Sequence, residues 1–331
     1  MAEPDSKKVK VENGEVNNGK QPIVFTVPHL SVPDVRLMVM DQQFMVHSAI
    51  LKSKSGFFGE IFEWPGSMDW LDRAPYKYDL VTRGSSLSDW VLRIEDNSNS
   101  APNYATWTSY EDDISAFHNL LMAFYGKAFG ADNWTKVSKI TELAERFKAL
   151  PCLSSLLPMI YSTSPSLLES IDVNAHMILP IAAKLRNAVL FKECLIFVIN
   201  PWSSKGSRIV GIEDQSLRAL AREVFDEIDL KIGKALCSSI NHAGSNYYST
   251  LGMDAQKAWS TSLAQVLFPR FFRLGYRGEA HENVVAKLLK NNSALVCRHI
   301  VPGEAGKFDD YFLSVDISED KLPWDVAEID W

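Results

Sequence analysis

Seven histidines and four cysteines are the residues of this chain whose side chains most readily support catalysis or metal binding. The cysteines stand about forty to sixty residues apart and form no CxxC pair of the kind that a zinc site uses. They are Cys152, Cys194, Cys237 and Cys297. No HExxH, GxSxG, GxGxxG or GxxxxGK(S/T) motif occurs. We therefore expect reduced core thiols, no catalytic site, no metal and no cofactor, and we predict that the protein is not an enzyme.

His47 is the histidine whose surroundings are most specific. It lies in the stretch VHSAILKSKSGFFGEIF, where it ends an apolar alternation and precedes Ser48, a residue that can cap a helix. Acid–base or nucleophilic catalysis needs a histidine close to a nucleophile and an orienting carboxylate. We favour a structural role at a strand-to-helix junction. An interface contact and a catalytic base are the alternatives.

Two basic stretches bear on nucleic-acid binding and on location. The segment FPRFFRLGYRG contains Arg270, Arg273 and Arg277 and has the residue types that stack on bases and bind phosphates. The net charge of -7 disfavours such a partner, so we expect a helix end with buried aromatic rings and snorkelling arginines, and no nucleic acid. The run KKVK at Lys7, Lys8 and Lys10 matches a short nuclear-import pattern, with a solvated charge run as the alternative.

Length and composition indicate a globular protein of about two domains. The chain has 331 residues, of which 46% are hydrophobic and 23% charged. Its N-terminus has no apolar signal region, and its longest apolar runs, such as CLIFVI at 194–199, are too short to cross a bilayer. We expect a soluble intracellular protein with no membrane partner, and the choice between nucleus and cytoplasm stays open.

The elements that position these residues follow from periodicity. Residues 1–21 are predicted to be a disordered tail. Two alternating stretches, DVRLMVM and FMVH, predict a hairpin, and Ser48 is expected to start a helix that ends at Pro65. An ordered loop without regular elements is expected over 64–90, followed by a strand at 90–97. The apolar face of the next predicted helix comprises Ile114, Phe117, Leu120, Leu121 and Phe124.

The rest of the chain is helical in pattern. Helices are predicted at SKITELAERFKAL and at about 152–161, and the stretch STSPS at 162–166 has the composition of an interdomain linker. Beyond it the clearest apolar stripe consists of Leu217, Leu220, Val224, Ile228 and Ile232. Residues 301–331 form an acidic tail, which we interpret as a loosely packed terminus, with a docking segment as the alternative.

The order of these elements resembles the BTB (POZ) domain over about residues 30–162, with insertions near 64–89 and 98–110. The matching positions are Asp34 and Val35 in the first strand, Phe44 and His47 in the second, Ser55 and Phe58 in the helix, and Phe117, Leu120, Leu121, Tyr125 and Gly126 further on. The chain departs from the family at Ser48, Gly56 and YGKAF. The downstream half is similar to the helical region of BTB proteins from filamentous fungi, through the segment FVINPW.

The resemblance implies an α+β fold, a small sheet wrapped by helices, in a BTB domain at 22–162. An all-helical domain at 163–300 and the acidic tail at 301–331 follow. It also implies that Asp34, His47 and Lys54 gather near the start of the first helix as a structural polar cluster.

The function that the resemblance implies is protein–protein interaction, as a self-associating scaffold or regulator that forms a homodimer through its BTB domain. The expected core and interface residues are Val32, Val35, Leu37, Ile50, Phe57, Phe58 and Ile61. A substrate adaptor for a cullin-family ubiquitin ligase is one alternative, although EWPGSMDW lacks the glutamate that such adaptors often carry at this place. A nuclear transcription regulator is another, and a hydrolase built on the helical half is a third.

Overall fold

The computed structural model describes residues 20–28, 30, 32–63, 76–95, 107, 110–204, 206–250, 267–275, 282–328 and 331, with only the main chain for 238–250, 274–275 and 282–283. The chain divides between Ser115 and Ala116 into two compact units, called here the N-terminal and the C-terminal unit. A small five-stranded sheet and helices occur together, as in the α+β class.

The N-terminal unit contains a mixed sheet in the order β1-β3-β2-β4-β5. Its strands are β1 (Ile23–Val24), β2 (Val35–Val39), β3 (Gln42–Val46), β4 (Tyr78–Arg83) and β5 (Val91–Ile94). β2 and β3 are antiparallel, as are β4 and β5, whereas β1 runs parallel to β3 and β4 parallel to β2. Parallel neighbours need a crossover, so the helices between β3 and β4 are required by this order.

The predicted hairpin is confirmed as β2 and β3. Val35, Leu37 and Val39 are completely buried because alternate residues of a strand point to one face. Met40 has a φ of 56°, the left-handed conformation that a tight hairpin turn requires. Its N–H donates to the Thr82 hydroxyl of β4 at 2.9 Å, so the turn is held by the neighbouring strand.

β4 corrects the prediction that residues 64–90 hold no regular element. Tyr78–Arg83 runs parallel to β2, with Leu80 opposite Leu37. Leu80 and Thr82 are completely buried. Such a central strand is buried on both faces and lacks the polar alternation by which half-buried strands are recognised. Residues 64–75 of the predicted loop lie outside the described residues.

The helix predicted from Ser48 is two helices, α1 (Ser48–Lys54) and α2 (Gly56–Glu63). Ser55 separates them in an extended conformation, and its hydroxyl accepts a hydrogen bond from the Phe58 N–H at 3.2 Å. That bond satisfies one of the free N–H groups at the start of α2. The predicted end at Pro65 lies outside the described residues.

Nine further helices follow along the chain, within the part that the structure describes. They are α3 (Tyr110–Phe124), α4 (Trp134–Arg146), α5 (Leu150–Thr163), α6 (Pro165–Glu169), α7 (Ile171–Lys184), α8 (Ala188–Ile199), α9 (Gln215–Thr250), α10 (Phe268–Gly275) and α11 (Glu282–Leu288). All five apolar residues predicted for the inner face of α3 are buried, which confirms that helix. Four of the five in the α9 stripe are also buried, and Leu220 is half-buried.

The predicted linker at 162–166 is not an extended segment. Residues up to Thr163 complete α5, and Ser164 alone separates it from α6. Pro165 begins α6 because proline fits the first turn of a helix, where its missing N–H costs nothing. The two compact units divide earlier, at residue 115 rather than at 162.

The acidic C-terminal segment, residues 301–328, is packed rather than loose, which corrects the interpretation of it as a loosely packed terminus. Leu313, Val315 and Ile317 are almost fully buried, at 0%, 2% and 1% exposure. The Asn200 side-chain amide at the end of α8 donates to the Phe312 carbonyl at 2.9 Å and accepts from the Phe312 N–H at 3.0 Å. The segment therefore completes the core of the C-terminal unit.

Candidate functional site

The start of α1 is held by a carboxylate from the beginning of β2. Asp34 accepts hydrogen bonds from the Ser48 N–H at 2.7 Å and from the Ser48 hydroxyl at 2.6 Å. His47 is the N-cap residue, and its carbonyl accepts from the N–H groups of Ile50 and Leu51 at 3.1 Å. Asp34 thus supplies the capping carboxylate that a side chain at the N-cap position usually provides.

Two of the three residues predicted as a polar cluster meet at this place. Asp34 and His47 lie at the start of α1, and His47 is only 4% exposed. Lys54 is exposed in the last turn of the same seven-residue helix, about 9 Å further along its axis. Ser48, rather than Lys54, is the residue that joins Asp34. This geometry fixes the angle between the hairpin and α1.

The residues predicted as BTB core or interface separate into three groups. Val35, Leu37 and Phe58 are completely buried and belong to the core. On α1 and α2, three others are half-buried, namely Ile50, Phe57 and Ile61. Val32 is 84% exposed.

Val32 is one of three exposed apolar residues that precede the hairpin in the sequence. The exposed large apolar side chains described in the N-terminal unit are Val24 at 53%, Leu30 at 46% and Val32 at 84%. We call these three residues the N-terminal apolar segment. Val24 belongs to β1, a two-residue strand at the edge of the sheet.

One face of the sheet carries a charged group that joins three strands. The Arg36 guanidinium of β2 donates to both oxygens of Asp79 on β4 and to Glu95, just after β5, at 3.0 Å. Hydrogen bonding to Asp79 raises the pKa of Arg36, and burial followed by the charge of Asp79 raises the pKa of Glu95. The arginine is fully engaged by carboxylates, so this group serves to fix strand pairing.

A buried carboxylate plays the corresponding role in the C-terminal unit. Glu193 of α8 is 1% exposed. Oε1 accepts from the Ser293 hydroxyl at 2.6 Å and the Val296 N–H at 2.9 Å, and Oε2 accepts from the N–H groups of Ala294 at 2.7 Å and Leu295 at 3.1 Å. All its hydrogen bonds point to one loop, so it anchors that loop to α8.

Two of the four cysteines, Cys194 and Cys297, have the burial predicted for core thiols, whereas Cys152 is half-buried and Cys237 is exposed, which corrects the prediction for those two. All four are free, and Cys194 and Cys297 are completely buried. Burial raises the pKa of Cys194 well above its ordinary value and that of Cys297 to about 12. A thiol is nucleophilic only as the thiolate, so neither is activated.

A groove of 390 Å³ lies between α4 and α7 in the C-terminal unit. It is lined by Ser138, Thr141, Glu142, His176, Met177, Pro180, Ile181, Lys184, Gly211 and Glu213. The Ser138 hydroxyl donates to Glu142 at 3.4 Å, and the Thr141 hydroxyl donates to the Val137 carbonyl at 2.8 Å. Both hydroxyls thus donate to oxygen atoms and not to a histidine nitrogen. The groove therefore does not have the arrangement of an acyl-transfer site.

The arginines of the cationic and aromatic segment form ion pairs. Arg270 lies 3.5 Å from an oxygen of Asp309, and Arg273 lies 3.6 Å from an oxygen of Glu304. Phe272 between them is 1% exposed. Buried rings with paired arginines agree with the helix-end interpretation. Arg277 lies outside the described residues.

Sequence reasoning missed two features, the groove and the anchoring role of Glu193. A signal for Glu193 was present, because a single acid within AVLFKECLIFVI has to find donors if that helix is buried. The groove had no comparable signal, since its lining comes from three separate stretches of the chain. Lys7, Lys8 and Lys10 lie outside the described residues.

Within the part of the chain that the structure describes, no helix is long and apolar enough to span a bilayer, and no three metal-ligating side chains come together. A scan against protein-family models, a search of curated proteins and a search of solved structures each found no match. These comparisons therefore give the resemblance to the BTB domain no support.

Proposed function

We propose that this protein is a protein–protein interaction module that self-associates through its N-terminal unit, as a scaffold or regulator with a BTB-like domain. The observation that carries the proposal is the exposure of the N-terminal apolar segment. Val32 leaves 84% of its surface in water, and Val24 and Leu30 leave about half of theirs. The three residues lie within nine positions of the sequence, and contiguous exposed apolar patches are typical of protein interfaces.

The position of this segment favours self-association. β1 lies at an edge of the sheet, so the backbone N–H and C=O groups on its outer side pair with no other strand of the described sheet. Exposed apolar side chains beside an open edge give a partner both hydrophobic contact and directional hydrogen bonds. A second copy of the same chain brings the same surface and forms a symmetric dimer.

The order of elements also supports the BTB assignment. The hairpin, the helical segment of α1 and α2, β5 and the amphipathic α3 follow the order on which the resemblance rests, and β4 is an addition to that order. The capped junction at the start of α1 includes Asp34 and His47, two positions that match the family pattern, and Ser48, which departs from it. These features make a BTB-like dimer the most economical proposal.

Sedimentation velocity of the full chain tests the proposal. Val32→Asp places a charge on a residue that the unassociated chain leaves 84% exposed, so the monomer is expected to fold normally. Loss of a buried valine from an interface removes about 1.5–3 kcal/mol of burial, so the dimer Kd is expected to rise at least tenfold. The matched control is Val326→Asp, at an exposed valine of the C-terminal unit (54% exposed). A wild-type chain that stays monomeric, or equal effects of both variants, contradicts the proposal.

The adaptor and nuclear-regulator alternatives stay predictions. The adaptor proposal concerns residues 63–70, of which only Glu63 is described, and the import proposal concerns Lys7, Lys8 and Lys10, which lie outside the described residues. Mass spectrometry of proteins that co-purify with the tagged chain tests the first, since an adaptor brings down a cullin with its RING partner. Relocation to the cytoplasm after Lys→Ala changes at the three lysines tests the second.

A further inference from the structure

One wall of the groove between α4 and α7 is formed by α7, which exposes apolar side chains to water. Met177 is 51% exposed in the middle of α7, and Val173, one turn earlier on the same face, is 62% exposed. Ile181, one turn later, lines the groove and is 6% exposed. Methionine adapts its shape to varied partners, which suits a binding surface.

The rim of the groove is negative. Glu142 and Glu213 are exposed at its edge, and among the described residues no lysine or arginine lies within ion-pair distance of either carboxylate. Lys184, the only lysine in the lining, already pairs with Glu145 at 2.6 Å. Two carboxylates are therefore left without a cation beside an exposed apolar wall.

The size of the groove limits what can fill it. Its 390 Å³ lies near the lower end of the range of about 300–1,000 Å³ for sites that enclose a compact ligand. Two residues of the lining are closely packed against each other, because a Cβ added at Gly211 would lie 3.1 Å from Cδ2 of His176. Room remains for a few side chains of a short segment and not for a folded domain.

We propose that this groove binds a short cationic segment of a partner protein, in which lysine or arginine alternates with an aliphatic residue. The aliphatic side chain lies on Met177 and Ile181, and the flanking cations meet Glu142 and Glu213. Charge complementarity selects this occupant over an acidic or neutral peptide. The site belongs to the C-terminal unit and does not depend on self-association through the N-terminal unit.

Fluorescence anisotropy with two labelled peptides tests the proposal on the full chain. The probe is Gly-Lys-Val-Lys-Val-Gly and its charge-inverted counterpart is Gly-Glu-Val-Glu-Val-Gly. Two variants alter the groove, the double change Glu142→Gln with Glu213→Gln, and Met177→Gln. Their matched controls are Glu319→Gln, at another exposed carboxylate, and Val189→Asn, at a residue with the same 51% exposure as Met177.

The lysine peptide is expected to bind saturably below about 1 mM, and the glutamate peptide is expected not to bind. Each exposed charge pair is weak, so the double glutamine variant is expected to lose about tenfold in affinity, and added salt weakens binding further. Absence of saturable binding, equal binding of both peptides, or equal losses in the control variants overturns the proposal. Loss of self-association in Met177→Gln also overturns it, because the occupant is then a second copy of the chain.

Discussion

Replacing Glu193 by glutamine tests whether a buried carboxylate holds the C-terminal unit together. Each oxygen accepts two hydrogen bonds, from Ser293 and Val296 at Oε1 and from Ala294 and Leu295 at Oε2. Glutamine keeps the shape but turns one acceptor into a donor. The amide NH2 is best tolerated at the Oε1 position, because the serine hydroxyl can rotate and accept from it.

Even this arrangement leaves the Val296 N–H facing another donor. An unsatisfied buried N–H costs about 1–3 kcal/mol, and the bonds kept by the neutral amide are weaker than bonds to a carboxylate. We therefore expect Glu193→Gln to lower the free energy of unfolding by about 3–5 kcal/mol, close to the effect of breaking a buried charged interaction.

Hydrogen exchange with mass spectrometry gives the local measurement. Because each 1.4 kcal/mol is a factor of ten, protection of the amides of residues 294–296 is expected to fall at least a hundredfold. Glu319→Gln, at an exposed carboxylate of the same unit, is the control and is expected to leave this protection unchanged. A difference of less than about threefold between the two variants would refute the assignment of Glu193 as an anchor.

Three further changes test the helix ends. Asp214 caps the start of α9, and hydrogen bonds from the Ser216 side chain and then from the backbone lower its pKa. Asp214→Ala is expected to lower the free energy of unfolding in urea by about 1 kcal/mol. The control Asp214→Asn keeps the cap. Because the folded pKa is lowered, the charge-dependent part of this stability is present above about pH 4 and is lost as the pH falls through the folded value, so wild type and Asp214→Asn are expected to converge in acid. Asn200→Ala removes both bonds to Phe312 and is expected to cost about 2–4 kcal/mol by the same assay; a loss below about 1 kcal/mol would contradict it. Trp202 stacks on Phe225 with ring centroids 4.5 Å apart, and Trp202→Ala is expected to cost about 3–5 kcal/mol, with Trp202→Phe close to wild type by thermal unfolding.

The pattern of apolar residues correctly predicted the elements that bury one face and expose the other. The hairpin alternates strictly, and α3 repeats its apolar residues at helical spacing, so both followed from residue types alone. The two-helix arrangement at α1 and α2 did not follow, because Ser55 reads as an ordinary helix residue until its hydroxyl is seen to cap the Phe58 N–H. Propensity is a weak guide where a tertiary contact decides.

The incorrect predictions for β4 and for the C-terminal segment have a different cause, which is contact between distant parts of the chain. Asp79 makes β4 look polar, yet its charge is matched by Arg36, 43 residues earlier. Asp309 and Asp310 make the C-terminal segment look like a solvated tail, although Asp310 is 5% exposed and Leu313, Val315 and Ile317 alternate as buried strand residues do. A charge count cannot separate a solvated carboxylate from one that meets a partner.

The hydrogen bond between Asn200 and Phe312 joins residues 112 positions apart, so it can form only after the ribosome has made the chain between them. A ribosome that adds 5–20 residues per second needs about 6–22 s to make the chain between them. During that interval α8, whose residues from Leu190 to Ile199 are mostly buried in the finished unit, has been made without the segment that covers it. The rings of Phe308 and Tyr311 pack on Phe197 of α8, so this part of the helix reaches its final packing only after the C-terminal segment has been made, and slower translation between the two residues lengthens that interval.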